Sequence, residues 1–167
     1  MMRLLGLAVL VAWAIPVMIP QRAVGQGSGN SLTERQRLVK QAQEAFDREM
    51  AREKAGDCRG VSTTREVLEC LEKEGNTSEA NYKAFTGALR KMLASYGDDA
   101  SGSQELVQEF DAIEGAWRGY KKQMCMAAYD LNKGGTIAPV NEGTCHQTLL
   151  RGHMRELRDV YDHLWIQ

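Results

Sequence analysis

Four cysteines, Cys58, Cys70, Cys125 and Cys145, carry the chemistry in this chain that depends most on compartment and spacing. Thiols in an oxidising compartment pair, whereas in a reducing one they bind soft metals or act as nucleophiles. All four lie beyond an apolar N-terminal stretch with the form of an export leader, so the even count reads as a disulfide framework. Four cysteines permit three pairings. The spacing suggests two local bridges, Cys58 with Cys70 and Cys125 with Cys145, and sequence alone does not choose among the three. The rival is a soft-metal centre, because Cys125, Cys145 and His146 lie near Met124, Met126 and Met154, donors suited to copper. No Cys-x-x-Cys or His-x-x-x-His spacing supports it, and the lack of Cys-x-x-Cys-His excludes covalent c-type haem. No metal and no cofactor is expected.

Nucleophilic catalysis needs a base beside a nucleophile. His146, His153 and His163 sit in or beside one C-terminal helix at spacings of seven and ten, roughly on one side of it. Without a partner motif they read as boundary or surface residues. There is no Gly-x-Ser-x-Gly, and Gly134-Gly135 lacks the Gly-Lys-Ser/Thr of a phosphate loop. Glu44, Asp47, Glu49 and Glu53 are interleaved with Arg48, Arg52 and Lys54. That pattern is a solvated helix face rather than the carboxylate pair of a glycoside hydrolase. Trp117, Tyr120, Tyr161 and Trp165 read as core rather than as a ligand cage. The balance favours a binding protein over an enzyme.

The elements that must position these residues begin after the leader. Leu4 to Pro20 is free of charge, Arg3 supplies a positive flank, and Ala23-Val24-Gly25 has the small residues a signal peptidase reads. Residues 1–25 are therefore expected to be a signal peptide cleaved near Gly25, leaving a periplasmic or secreted chain with no stable membrane insertion. Pro16 and Pro20 argue against an uncleaved spanning helix. Gln26 to Asn30 is a Gly/Ser tail expected to be disordered. An amphipathic helix follows from Ser31 or Thr33 to about Lys54, with Leu38, Val39, Ala42, Phe46 and Met50 on one side and Gly56 ending it.

Ser62-Thr63-Thr64 with Glu66 has the form of a capping box opening a second helix. Gly75-Asn76 is expected to break it, and Thr77 or Ser78 to start a third, with Tyr82, Phe85, Leu89, Met92 and Leu93 facing the core. Gly97 to Gly102 reads as a loop. From Ser103 a fourth helix carries the stripe Leu106, Phe110, Ile113, Trp117, Tyr120, Met124, Ala128 and Leu131, expected as a core face. Gly134 to Pro139 terminates it. The last helix runs from Asn141 or Thr144 to the C-terminus. No segment alternates with period two, so the fold class is all-α, a small bundle of about five helices stapled by two disulfides.

Removing Arg3 and Arg22 with the leader takes the net charge from −1 to about −3. A nucleic-acid partner would demand a basic footprint and is not expected.

Trp117-Arg118-Gly119-Tyr120, Cys125 eight residues after the tryptophan, Gly134-Gly135-Thr136-Ile137-Ala138-Pro139, Cys145 and the Leu149 to Leu157 helix occur in that order. This C-terminal half resembles the LprI-type lysozyme inhibitor N-terminal domain family. Cys58 and Cys70 look like that family's first cysteine pair, so the resemblance covers roughly residues 57 to 161. It divides the chain into the leader, an accessory N-terminal helix over 26–56 and an LprI-like domain over 57–167. It implies an exported cell-envelope binding module with a protein partner, lysozyme being the candidate, inhibited by direct binding. The alternatives are a structural or assembly module docking through the N-terminal helix, and an enzyme acting on envelope polymers. Two departures stand out: Lys121-Lys122 replaces the family's usual Arg-Asp, and Leu150 and His153 stand where a Thr and an Arg are usual.

Overall fold

The computed structural model describes residues 27–96 and 100–165, with side chains from Glu34 onward. The leader over 1–25 and its cleavage site lie outside the described residues. Among the described residues there are four long helices: α1 over Gly27–Ala55, α2 over Thr64–Ala94, α3 over Ala100–Asp130 and α4 over Ala138–Val160. A short 3-10 turn, Asp162–Leu164, follows α4. Helix α2 is the centre of the bundle, packing against α1, α4 and α3, and α3 packs in turn on α4.

The expected count of about five helices is corrected to four because Gly75 and Asn76 lie inside one continuous α2 of 31 residues. A glycine in a helix interior costs about 1 kcal/mol relative to alanine. Leu71, on the N-terminal side of that glycine, and Tyr82, Phe85, Leu89, Met92 and Leu93 on the other side are all buried by the same helix. Each buried apolar side chain stabilises by about 1.5–3 kcal/mol, so packing overrides the local breaker. The start of α2 is as read from the sequence. Thr63 accepts from the Glu66 backbone N–H, and the Glu66 carboxylate accepts from the Thr63 backbone N–H.

Two other boundaries shift. Helix α1 already includes Gly27 to Asn30, the segment expected as a disordered tail. Propagating a helix adds one hydrogen bond per residue fixed, so a packed helix extends readily into such a segment. Helix α4 starts at Ala138, ahead of Asn141 and Thr144, because Pro139 occupies the first turn. There its missing N–H costs no hydrogen bond. At the other end α1 stops where expected: Gly56 has φ +83° and donates to the Arg52 and Glu53 carbonyls.

The core is one cluster. Leu38, Ala42, Ala45 and Phe46 of α1 meet the α2 face, Phe110 and Trp117 of α3, and Leu150, Met154 and Leu157 of α4. Beyond α4, Leu164 is buried, and the Trp165 ring stacks on Phe85 with centroids 5.8 Å apart. The expected α3 stripe is only half correct. Phe110 and Trp117 are buried, whereas Ile113, Tyr120, Met124 and Leu131 are exposed. A 31-residue helix is about 46 Å long, and α3 turns its core-facing side to α2 and α4 along a narrower arc than the apolar stripe covers.

Candidate functional site

The cysteines form two bridges, Cys58–Cys70 with Cα atoms 5.7 Å apart and Cys125–Cys145 with Cα atoms 5.4 Å apart. The first ties the α1–α2 connection, where Cys58 itself holds φ +54°, to the second turn of α2. The second spans the α3–α4 hairpin. Between its ends Gly134 adopts φ +87° and Gly135 donates to the Asn132 carbonyl at 2.9 Å. A side chain at Gly134 would be strained, which gives the paired glycines of the turn a physical reason. The Cys125–Cys145 bridge takes up the two thiols of the candidate copper donor set. Among the described residues no group of three or more His, Cys, Asp or Glu is placed to hold a metal ion.

Two buried polar clusters, unseen in the sequence, hold the helices in register. Glu49 is fully buried, which corrects its assignment to a solvated α1 face. Its carboxylate accepts from Ser78 Oγ at 2.7 Å, Asn81 Nδ2 at 2.9 Å and Arg151 Nε at 2.8 Å. Arg151 reaches on to Asp57 Oδ1 at 2.8 Å, so α1, α2, α4 and the first connection meet at one ion-pair network. Burial pushes the Glu49 carboxyl up, but the hydrogen bonds from Asn81, Ser78 and Arg151, with the charge of Arg151, outweigh it and hold the group below the usual carboxylate range. Hydrogen bonds from Arg151 to Asp57 and Glu49, against burial, raise the guanidinium above its ordinary value.

The second cluster is centred on Glu114, only 3% exposed. It accepts from Tyr82 Oη at 2.5 Å, and its other oxygen lies 2.9 Å from His153 Nε2. The imidazole stacks on Trp117 at 4.2 Å between centroids, and Lys121 lies 4.8 Å over the same indole while bonding Glu79 at 2.6 Å. Burial, then the bond to Glu114 and its charge, raise the Tyr82 phenol well above its ordinary value. His153 is therefore not the boundary or surface residue the sequence indicated. His146 faces Glu142, and His163 faces Asp162 and the Tyr96 ring, so the three histidines occupy three separate environments.

Two of the departures from the family pattern find partners here. Lys121 bridges α3 to α2 through Glu79, and His153 supplies the group opposite Glu114. Tyr120, Trp117 and Leu157 divide between surface and interior: Tyr120 is 51% exposed, and the other two are buried. Pro139 opens α4 and lines a cavity of about 470 Å³ between α2, α3 and α4, with Leu68, Leu71, Glu142, His146 and Leu150 among its walls.

A second hollow of about 660 Å³ lies between α3 and α4, where Ala116 and Tyr120 face Leu149, Gly152 and Glu156. It is an open groove of mixed character, with Trp117, Thr148, His153 and Arg155 also lining it. The sequence signal for it is the excess width of the apolar stripe on α3. Periodicity reports that a face is apolar and not whether a neighbour covers it.

The architecture is an all-helical bundle with its two bridges in the α1–α2 and α3–α4 connections and its buried acids and bases paired internally. The family model for lysozyme inhibitor LprI matches residues 55–157, from the last residue of α1 to near the end of α4. Comparison with curated proteins and with solved structures finds no significant match. The matched segment contains both disulfides, the Gly134-Gly135 turn, Trp117 and His153, and it spans more than half of the chain. The chain belongs to the LprI lysozyme inhibitor family.

Proposed function

We propose that the protein is an exported cell-envelope module that inhibits a muramidase by direct protein–protein binding and is not itself an enzyme. The observation that carries the reading is the family match over residues 55–157. The geometry agrees with binding rather than chemistry. The buried groups with catalytic potential, Glu114 with His153 and Glu49 with Arg151, are paired with one another, while Tyr120 and its neighbours face outward. Export is part of the same reading: disulfides persist in oxidising compartments, and among the described residues no helix is long and apolar enough to cross a membrane.

In this reading residues 1–25 leave as a signal peptide, 26–56 supply a packing helix, and 57–167 carry the inhibitory surface. Trp117, Gly134, Gly135, Pro139 and Leu157 shape that surface without touching the target. The test is lysis of peptidoglycan by several muramidase types in the presence of stoichiometric protein lacking residues 1–25. Inhibition of at least one type, with a co-migrating complex on gel filtration, is expected. Lysis unaffected for every type, with no complex, removes the proposal. Sequencing the N-terminus of the exported protein tests the cleavage site.

A further inference from the structure

On α3, Glu109, Ile113, Ala116, Tyr120 and Met124 follow one another at steps of three and four, so they share one flank of the helix. The core-facing side carries Phe110, Glu114, Trp117 and Cys125 instead. Ile113, Tyr120 and Met124 are each close to half exposed, at 46%, 51% and 45%. Tyr120 and Ala116 border the groove that Leu149, Gly152 and Glu156 close from α4. Contiguous large apolar side chains on an open surface mark interaction sites.

One cation lines this groove, Arg155, and it is paired with Glu53. The other cations nearby are engaged elsewhere: Arg158 lies over the Phe46 ring, Lys121 bonds Glu79, and Arg118 reaches toward Glu114. The acids are left facing out. Glu109 makes no ion pair among the described residues, and the Glu156 side chain is 73% exposed with His153 Nδ1 as its one contact, at 3.3 Å. Asp159, exposed and three residues further along α4, extends the acidic edge.

We propose that the α3–α4 groove is the docking surface for the muramidase, and that it receives a basic surface of that enzyme with an apolar side chain seated between Tyr120 and Gly152. The inference rests on the inhibitor reading above and assigns the face that performs it. Charge complementarity selects the partner, since Glu109, Glu156 and Asp159 attract a basic surface and repel an acidic one. It disfavours a second copy of this chain, which would bring the same acids face to face. Tyr120 supplies the aromatic anchor and Ile113, Met124 and Leu149 the apolar surround that a desolvated contact needs.

The test is inhibition of lysis by the protein lacking residues 1–25, at low and high salt, for four variants. Gly152→Gln fills the groove, and it leaves the core alone because a Cβ there meets nothing within 4 Å. Tyr120→Ala removes the anchor, and Glu109→Lys with Glu156→Lys reverses the rim. Gly115→Gln is the control, on the side of α3 away from Tyr120 with the same open space at its Cβ. The first three should each weaken inhibition at least tenfold, with helical content and unfolding midpoint by circular dichroism close to the parent. The parent should lose affinity with salt, the rim-reversed variant should not, and the control should match the parent.

Inhibition that survives the first three substitutions overturns the face and leaves the inhibitor reading standing. An equal loss in Gly115→Gln also overturns the face. A parent protein that neither inhibits nor binds any muramidase overturns both.

Discussion

His153 Nε2 lies 2.9 Å from Glu114 Oε1, joining α4 to α3 through two side chains that are almost completely withdrawn from solvent. Tyr82 completes the arrangement from α2 by donating to the other carboxylate oxygen. Three helices are thus fixed in rotation at one point, with the second ring nitrogen of His153 facing Glu156 at 3.3 Å. Removing one member leaves a buried carboxylate without it, which typically costs about 3–5 kcal/mol. His153→Ala should destabilise the protein by about 3 kcal/mol in urea unfolding, and adding Glu114→Gln should recover part of the loss. Strictly additive effects in the double variant would show that the two side chains do not act as a unit.

The acid limb of stability should depend on Glu49. Its carboxyl is held below the ordinary value of 4.5, so its contribution is fully present above about pH 4.5 and is lost as the pH falls through the lower folded value. Replacing Glu49 with Gln should flatten the fall in unfolding midpoint below pH 4.5 and lower the midpoint at pH 7. An unchanged acid limb would place the responsible carboxylate elsewhere. Tyr82 gives the opposite limb: its phenol is raised above 10.0, as is that of Tyr161, so ultraviolet titration should find at least one tyrosine that ionises only as the fold is lost at high pH.

Continuity of α2 through Gly75 has a direct consequence. A Cβ at Gly75 meets nothing within 4 Å, so Gly75→Ala should stabilise by about 0.5–1 kcal/mol in denaturant unfolding. Were the chain broken there, with Gly75 at positive φ, the same change would destabilise it. Gly134→Ala is the contrast. Its φ of +87° makes the substitution strained although the space is open, so the unfolding midpoint should fall.

The bridges close loops with sequence separations of 12 and 20. Loops of that size restrict the unfolded chain by about 3 kcal/mol each in the entropy account. Cys125→Ser with Cys145→Ser should therefore lower unfolding free energy by roughly 2–4 kcal/mol while the α1–α2 half keeps its ellipticity. The reduced protein should show the sum of both losses.

The Thr63 and Glu66 cap, the end of α1 at Gly56 and the apolar faces of α1 and α2 could be read in advance because each depends on residues a few positions apart. The same holds for the family order of Trp117, Cys125, Gly134-Gly135 and Cys145, whereas spacing only suggested the two local disulfides and the structure chose that pairing among three. Tertiary packing decided the rest. Leu71, Tyr82 and Phe85 carried α2 through Gly75, where local propensity alone stops a helix. Glu49 looked solvated among alternating charges and became the centre of a network once Arg151, 102 residues away, packed beside it. Tyr120 looked like core on a continuous stripe and was left outside, because periodicity fixes which side of a helix is apolar, and only the arrangement of α2 and α4 fixes how much of that side is covered.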